Sequence, residues 1–128
     1  MPIRQVTNNV AIEVTTQYFS EHSQPEEGRY IFGYKIRISN LGLKTVQLVS
    51  RRWLITDAKG ETEEVEGPGV VGQQPHIAPG SSFEYESFCP LPTKTGSMQG
   101  SYQMLTDSGE KFETEIPQFF LVEPSSLH

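Results

Sequence analysis

The sequence predicts an all-β domain, a sandwich of two antiparallel sheets with seven to eight strands in all. Short runs of alternating apolar and polar residues recur along the chain, and turn-forming residues separate them. No segment of a dozen residues shows a helical period. Short antiparallel strands at such spacings, without helices, are typical of a sandwich, and a barrel is the alternative.

Length and composition are those of a single globular domain, 1–128. A chain of 128 residues with 35% hydrophobic content can bury a core and is too apolar for a disordered chain. We expect residues 1–7 and 124–128 to be loosely ordered, because chain ends make few contacts.

Charge and cysteine content exclude several classes of protein. The net charge of −6 argues against nucleic acid as a partner, because phosphate binding needs a basic face. The single cysteine, Cys89, leaves no internal disulfide and fits a reducing compartment. No stretch is apolar enough for a signal peptide or a membrane span. We therefore predict a cytoplasmic protein with no membrane partner.

The first half of the chain holds the most regular strands. Val10–Tyr18 and Tyr30–Asn40 alternate at a period of two, and the polar connector 20–29 separates them. The inward side chains of the second strand are Tyr30, Phe32, Tyr34, Ile36 and Ile38. We expect this second strand to lie at the centre of a sheet.

The third long strand, Val46–Asp57, changes phase along its length. Val46 and Leu48 share one phase, whereas Trp53 has the other. A change of one residue moves every later side chain to the opposite face, so we predict a β-bulge near 50–52. Trp53 is then expected to pack between the sheets.

The remaining strands are shorter. The predicted elements are an edge strand at 61–66, a strand at 81–88, a connector at 89–96, and strands at 98–104, 111–116 and 119–122. Pro117 is expected to interrupt the ladder between the last two, because proline has no backbone N–H.

A glycine-rich segment, 66–80, divides the strands into two groups. Gly67, Gly69 and Gly72 have the spacing of the dinucleotide-binding fingerprint, which requires a helix after the last glycine. Pro75 follows at once, and no helical pattern comes after it. We therefore predict that the segment binds no nucleotide.

We predict instead that this loop binds a protein partner. A loop stiffened by prolines and carrying exposed valines is suited to recognition. The predicted partner-binding residues are Gly67, Pro68, Gly69, Val70, Val71 and Gly72. In the alternative, which stays open, Val70 and Val71 plug one end of the sandwich.

The sequence offers no catalytic set. A nucleophilic Cys89 would need a base, and the histidines are only His22, His76 and His128. Nothing in the spacing brings His76 to the thiol, so we expect Cys89 to act as a small buried hydrophobe.

Charged residues indicate neither a metal site nor a cofactor site. Four glutamates supply the hard oxygen ligands that divalent cations accept: Glu61, Glu63, Glu64 and Glu66. Alternation places them on opposite faces, so we interpret them as a solvated edge that prevents aggregation. Arg51 and Arg52, with Lys35 and Arg37, are interpreted as solvated strand charges paired with glutamates.

Seven segments together resemble the bacterial ApaG family, also called CorD. They are SRRWLITD at 50–57, GPGVVGQQP at 67–75, APG at 78–80, FEY at 83–85, CPL at 89–91, GSMQG at 96–100 and FETEIP at 112–117. The resemblance covers nearly the whole chain in family order. It implies an immunoglobulin-like, fibronectin type III-like sandwich.

The resemblance also bears on function. Related domains occur inside F-box proteins and a DNA polymerase δ-interacting protein, where they look like interaction modules. The family's gene typically neighbours a diadenosine tetraphosphatase gene, and its second name reflects a link to cobalt resistance and magnesium efflux. We therefore predict a non-enzymatic protein-interaction module, with a small-ligand or divalent-cation binder linked to cobalt and magnesium homeostasis as the alternative.

Overall fold

The computed structural model describes residues 2–126, and within this range nine β-strands are present. They are β1 Ile3–Thr7, β2 Val10–Tyr18, β3 Tyr30–Asn40, β4 Val46–Asp57, β5 Thr62–Pro68, β6 His76–Ile77, β7 Ser82–Leu91, β8 Thr95–Thr106 and β9 Lys111–Val122. Short 3-10 helices span Ser20–His22, Pro25–Glu27 and Pro124–Ser126. No helix among these residues is long and apolar enough to cross a membrane. The all-β class is confirmed, and the strand count exceeds the prediction because β1 and the two-residue β6 carry too little alternation to recognise.

The strands form two antiparallel sheets, which confirms the sandwich over the barrel. The four-stranded sheet has the order β1-β2-β3-β7, so β3 is an interior strand as predicted. The five-stranded sheet has the order β5-β4-β8-β9, and β6 also pairs with β4. Since β8 occupies one side of β4 along its length, β5 and β6 share the other side.

The core lies between the two sheets. The side chain of Trp53 is 3% exposed, and its ring lies 5.5 Å from that of Tyr34 and 5.9 Å from that of Phe119. The hydroxyls of Tyr85 in β7 and Tyr102 in β8 are 2.5 Å apart, so a hydrogen bond joins the sheets through the core. The predicted inward position of Trp53 is confirmed.

The bulge of β4 falls at Val49, just before the predicted position. Leu48 pairs with Met104 and Ser50 with Gln103, so Val49 is the extra residue. The phase change inferred from the sequence is therefore correct, and its location is off by one residue.

Pro117 interrupts the ladder as predicted, because neither Pro117 nor Gln118 has a partner in β8, but it does not divide the segment into two strands. β9 continues through it, and Met98 pairs with Phe119 while Gly100 pairs with Ile116. Two residues of β9 thus oppose one of β8. A bulge leaves its extra residue unpaired, which accommodates a proline without an N–H donor.

Two further expectations require correction. Residues 3–7 are not loosely ordered but form β1, because Asn8 and Asn9 (φ 50° and 64°) close a two-residue hairpin between Thr7 and Val10. The connector predicted at 89–96 begins later, since β7 pairs with β3 as far as Leu91. Of the predicted loose end 124–128, residues 127 and 128 lie outside the described range.

Candidate functional site

The predicted partner-binding segment starts inside a strand. Gly67 and Pro68 are the last residues of β5 and pair with Arg51 and Ser50 of β4. The chain then leaves β4 at the bulge and returns to the same side of β4 as β6. The segment therefore lies along the side of β4 opposite to β8.

The exposed part of this segment is a tight hairpin. The N–H of Val70 donates to Gln73 O and the N–H of Gln73 donates to Val70 O, both at 2.8 Å. The turn residues Val71 and Gly72 have φ values of 41° and 80°. Positive φ at both positions is the signature of a type I′ turn, where asparagine and glycine are preferred. A β-branched residue in this conformation is strained.

The two valines have different environments. Val70 is 1% exposed and belongs to the hydrophobic core, whereas Val71 is 53% exposed. The prediction of exposed valines is therefore wrong for Val70. Val70 pairs with Gln73 at the base of the turn, whereas Val71 is a turn residue at the tip. Each alternative drawn from the sequence describes one residue: Val70 packs into the core, and Val71 is presented outward.

Arg51 anchors the hairpin. Its Nη1 donates to the carbonyl oxygens of Pro68 at 3.0 Å and Gly69 at 2.9 Å. The Val49 bulge turns Arg51 and Trp53 to the inward face, where Arg51 bonds to backbone carbonyls and forms no ion pair in the described part of the chain, so the expected pairing of Arg51 with a glutamate is wrong. Hydrogen bonds from a charged donor to these carbonyls hold the base of the hairpin in one position.

The glycines of the fingerprint spacing have structural roles in this hairpin. Gly69 has φ 59°, and a Cβ there would overlap the carbonyl oxygen of Gln73. A Cβ at Gly67 would lie 3.1 Å from both terminal nitrogens of Arg51. Gly72 occupies the second turn position and leads into β6. The helix N-terminus that cradles phosphates in dinucleotide-binding proteins does not follow this segment.

Further contacts fix the hairpin to the bulge. The carbonyl oxygen of Val49 accepts hydrogen bonds from the N–H of Gly69 and from Nε2 of Gln74, both at 2.8 Å. Leu48 N donates to Pro75 O at 3.0 Å just beyond. Backbone and side-chain donors therefore hold both ends of the hairpin against β4.

The acidic strand is engaged with Arg52. The Nη2 atom of Arg52 lies 3.4 Å from Oε1 of Glu64, and the Nε atom of Arg52 lies 3.4 Å from Oε1 of Glu66. This pairing confirms the interpretation of Arg52 and of β5 as a charged edge strand. Among residues 2–126, no group of three or more histidine, cysteine, aspartate and glutamate side chains is arranged to hold a metal ion.

Cys89 is a buried thiol. Burial raises its pKa from 9.0 to about 11, and the charge of Glu63 adds to the shift. The thiolate is therefore disfavoured at neutral pH, and the thiolate is the reactive form of cysteine. His76 of β6 pairs with Gln47 of β4, whereas Cys89 of β7 pairs with Phe32 of β3. These pairings place the thiol and the imidazole in different sheets.

One exposed aromatic cluster was not predicted from the sequence. The rings of Phe19 and Phe88 are 5.5 Å apart on the outer face of the four-stranded sheet, and Phe88 is 63% exposed. The ring of Phe19 occupies the space that a side chain at Gly33 would fill. A glycine inside a regular strand marks a close approach of another group, and that signal was present in the sequence.

Comparison with known proteins gives consistent matches along the chain. The ApaG domain family matches residues 20–106, more than half of the chain. Protein ApaG of Rhodospirillum centenum is 52% identical over 120 residues, covering 94% of this chain and 92% of the relative. Protein ApaG of Bdellovibrio bacteriovorus is 55% identical over 111 residues, covering 87% of each chain.

Solved structures agree with these matches. A structural-genomics target called SoR45 superposes with a TM-score of 0.89 at 45% identity, covering 94% of this chain and 92% of the target. A Bordetella pertussis protein described as ApaA gives a TM-score of 0.88 at 46% identity, and the match covers 90% of this chain and 94% of that protein. The C-terminal domain of Wzt, at 10% identity and a TM-score of 0.55, shares the fold alone. The identities and coverage show that the chain belongs to the ApaG family.

Proposed function

We propose that this chain is a non-enzymatic, cytoplasmic protein-interaction module that presents Val71 to a protein partner. The observation that carries the proposal is the combination of exposure and strain at this residue. An exposed valine gains little from burial, and its positive φ costs on the order of 1–3 kcal/mol. Asparagine or glycine would fit the turn without that cost, so folding alone does not account for valine here.

The anchoring of the hairpin supports a recognition role. Val70 packs into the core on one side of the hairpin, and Arg51 bonds its base. A loop already held in one conformation loses little entropy when it binds. Val71 is therefore presented by a rigid element, as an interface anchor should be.

The surroundings of Val71 indicate the chemistry of the contact. Gln73 and Gln74 are exposed beside it. An apolar anchor surrounded by polar, uncharged side chains matches the organisation of a small interface, with an apolar centre and a polar rim. The proposed partner has an apolar pocket that receives the valine side chain.

Val71→Asn is the variant that tests the proposal. It relieves the turn strain, so we expect the free energy of unfolding to rise by about 1 kcal/mol. Capture of native partners on the immobilised protein should fall at the same time, because the apolar anchor is lost. A folding defect cannot explain lost capture by a more stable protein.

Leu43→Asn provides the matched control. Leu43 is 97% exposed in the loop between β3 and β4, so the variant removes an exposed apolar side chain elsewhere. We expect capture by Leu43→Asn to equal that by the wild type. Equal capture by Val71→Asn and the wild type would refute the proposal.

A further inference from the structure

We propose that the outer edge of β7 accepts an extended, basic segment of a protein partner as an additional strand of the four-stranded sheet. This surface is separate from the Val71 hairpin. The partner segment is recognised by backbone hydrogen bonds along the edge and by carboxylates on the face beside it. The proposal follows from the orientation of the β7 backbone and from the charges along that strand.

The orientation of the β7 backbone follows from two hydrogen bonds of Ile31. Its N–H donates to Ser23 Oγ at 2.9 Å, and its carbonyl accepts from Phe19 N at 2.9 Å. Both groups therefore point away from β7. Ile31 pairs with Pro90, so the backbone groups of Pro90 point away from β3 as well.

Alternation extends this result along the strand. In an antiparallel ladder every second residue directs its N–H and C=O to the same neighbour. The groups of Glu84, Glu86 and Phe88 therefore point outward with those of Pro90. The presence of a proline at position 90 supports this orientation, because an edge strand tolerates proline where the missing N–H would face solvent.

This edge is open in the structure. β7 is the last strand in the order of its sheet. Within residues 2–126, no hydrogen bond engages the outward backbone groups of Glu84, Glu86 or Phe88. Three consecutive outward residues supply six donors and acceptors at the spacing that an added strand requires, which is the geometry of β-strand addition.

The charges beside the outer edge of β7 determine which kind of partner strand can bind to it. The carboxylate of Glu84 is paired with Lys35 at 3.2 Å and with Arg37 at 3.8 Å, whereas Glu86 forms no ion pair in the described part of the chain and is the carboxylate available to a partner's cation. The protein carries a net charge of −6, and a second copy would bring the same carboxylates to the edge. Like charges on paired strands are destabilising, so the edge disfavours self-pairing and favours a strand that carries lysine or arginine.

Phe88 adds an apolar contact at one end of the edge. Its side chain is 63% exposed and lies on the same face as the two glutamates. Cross-strand neighbours on one face interact, so an apolar residue two positions from a basic one in the partner would contact this ring. The partner segment we infer is thus extended, basic and bounded by an apolar residue.

The experiment uses the synthetic peptide Thr-Val-Thr-Leu-Thr-Lys-Thr-Lys, which in an antiparallel pairing places leucine beside Phe88 and the lysines beside Glu86 and Glu84, and backbone amide exchange of the full chain measured by NMR. In the free protein, the amides of Glu84, Glu86 and Phe88 should exchange fast, whereas the amide of Tyr85 should be protected. The peptide should slow exchange at the three outward amides by at least about tenfold at saturation. Protection of these amides in the free protein, by pairing of two copies, would overturn the proposal.

Matched controls separate backbone pairing from general attraction. The same peptide, N-methylated at every second residue, keeps its charge but loses edge hydrogen bonds, and should bind at least about tenfold more weakly. Glu86→Lys should weaken binding to a similar extent, whereas Glu115→Lys, an exposed change on β9, should not. Equal binding of both peptides, equal effects of both variants, or no saturation at millimolar peptide would each refute the added strand.

These outcomes are distinct from those that test the hairpin. Val71→Asn should leave binding of the peptide to β7 unchanged, and Glu86→Lys should leave the hairpin conformation unchanged. Either proposal can therefore fail alone.

Discussion

The guanidinium of Arg51 occupies the space that a side chain at Gly67 would need. The closest approach of a Cβ at Gly67 would be 3.1 Å to each terminal nitrogen. Arg51 holds this position through its bonds to the carbonyls of Pro68 and Gly69. The glycine and the arginine therefore form one structural unit, although they are 16 positions apart in the sequence.

The effect of Gly67→Ala on the free energy of unfolding should have opposite signs in the presence and in the absence of Arg51. With Arg51 present, the new methyl group displaces the guanidinium and should lower the free energy of unfolding by about 1 kcal/mol. With Arg51→Ala, the obstruction is gone, and alanine should stabilise the strand by about 0.5 kcal/mol relative to glycine. Urea denaturation of the four proteins in a double-mutant cycle measures this coupling. Additive effects would show that the two residues do not interact.

The two hairpin valines should respond differently to a carboxylate. Val70→Asp buries an unpaired charge and should destabilise the protein by several kcal/mol. Val71→Asp places the charge in solvent and relieves the same turn strain as Val71→Asn, so it should raise the free energy of unfolding by up to about 1 kcal/mol. Thermal unfolding of both single variants measures the contrast. A large loss in Val71→Asp would mean that the tip also supports the fold.

Trp53→Ala should destabilise the protein by about 3–5 kcal/mol, as large-to-small changes in a core do. The indole packs against Tyr34 and Phe119, and neither ring can fill the resulting cavity without leaving its own contacts. Chemical denaturation followed by circular dichroism is suitable, because the variant removes the only tryptophan. A loss below about 1 kcal/mol would contradict the packing described here.

Alkaline pH should destabilise the fold partly through Cys89. Burial raises the pKa of this thiol to about 11, from 9.0. Between these values the unfolded thiol ionises while the folded thiol keeps its proton, so stability falls as pH rises and levels off above the folded pKa. At 1.36 kcal/mol for each pKa unit, the contribution is roughly 3 kcal/mol.

Cys89→Ala isolates the contribution of the thiol. The buried tyrosines also have raised pKa values, chiefly because burial disfavours their charged forms, and they add their own losses at high pH. The comparison is the difference in stability between the two proteins, measured by urea denaturation from pH 8 to pH 11. We expect wild type to lose its advantage through this window. A difference independent of pH would show that the thiol pKa is not shifted.

ATP, NAD and dinucleoside polyphosphates should not bind to the glycine-rich segment. Its glycines serve a hairpin and the space for Arg51, and no helix N-terminus follows Gly72 to receive phosphates. Calorimetric titration measures this directly. Saturable micromolar binding that is lost in Gly69→Ala would contradict the prediction, provided that circular dichroism shows the variant to be folded.

Periodicity in the sequence was sufficient to predict the strands that have one buried face. In Tyr30–Asn40 each second residue enters the core, so the pattern determines both the element and its orientation. β1 escaped prediction because its strand is short and its apolar residues Ile3 and Val6 remain partly exposed. The interruption of the ladder at Pro117 was predicted, but a local rule about hydrogen bonding does not reveal that a bulge lets β9 continue through the proline.

The candidate site was predicted as a segment but not in its geometry. Composition identified 67–72 as unusual, since glycine and proline mark special backbone conformations. Nothing in the local sequence distinguishes Val70 from Val71, because their exposure depends on the hairpin register and on the position of the sheets. The role of Arg51 likewise depends on the Val49 bulge, which reverses the face on which the arginine lies.

Because of the Val49 bulge, the hairpin can change in length without changing the register in which β5 and β6 pair with β4. β5 and β6 pair with β4 on either side of the bulge, and the hairpin turn at Val71 and Gly72 makes no pair with β4. Residues inserted between Val71 and Gly72 would extend outward without shifting either pairing. The sandwich can therefore serve as a scaffold for displayed peptides, with the insertion site already closed at its base by Arg51.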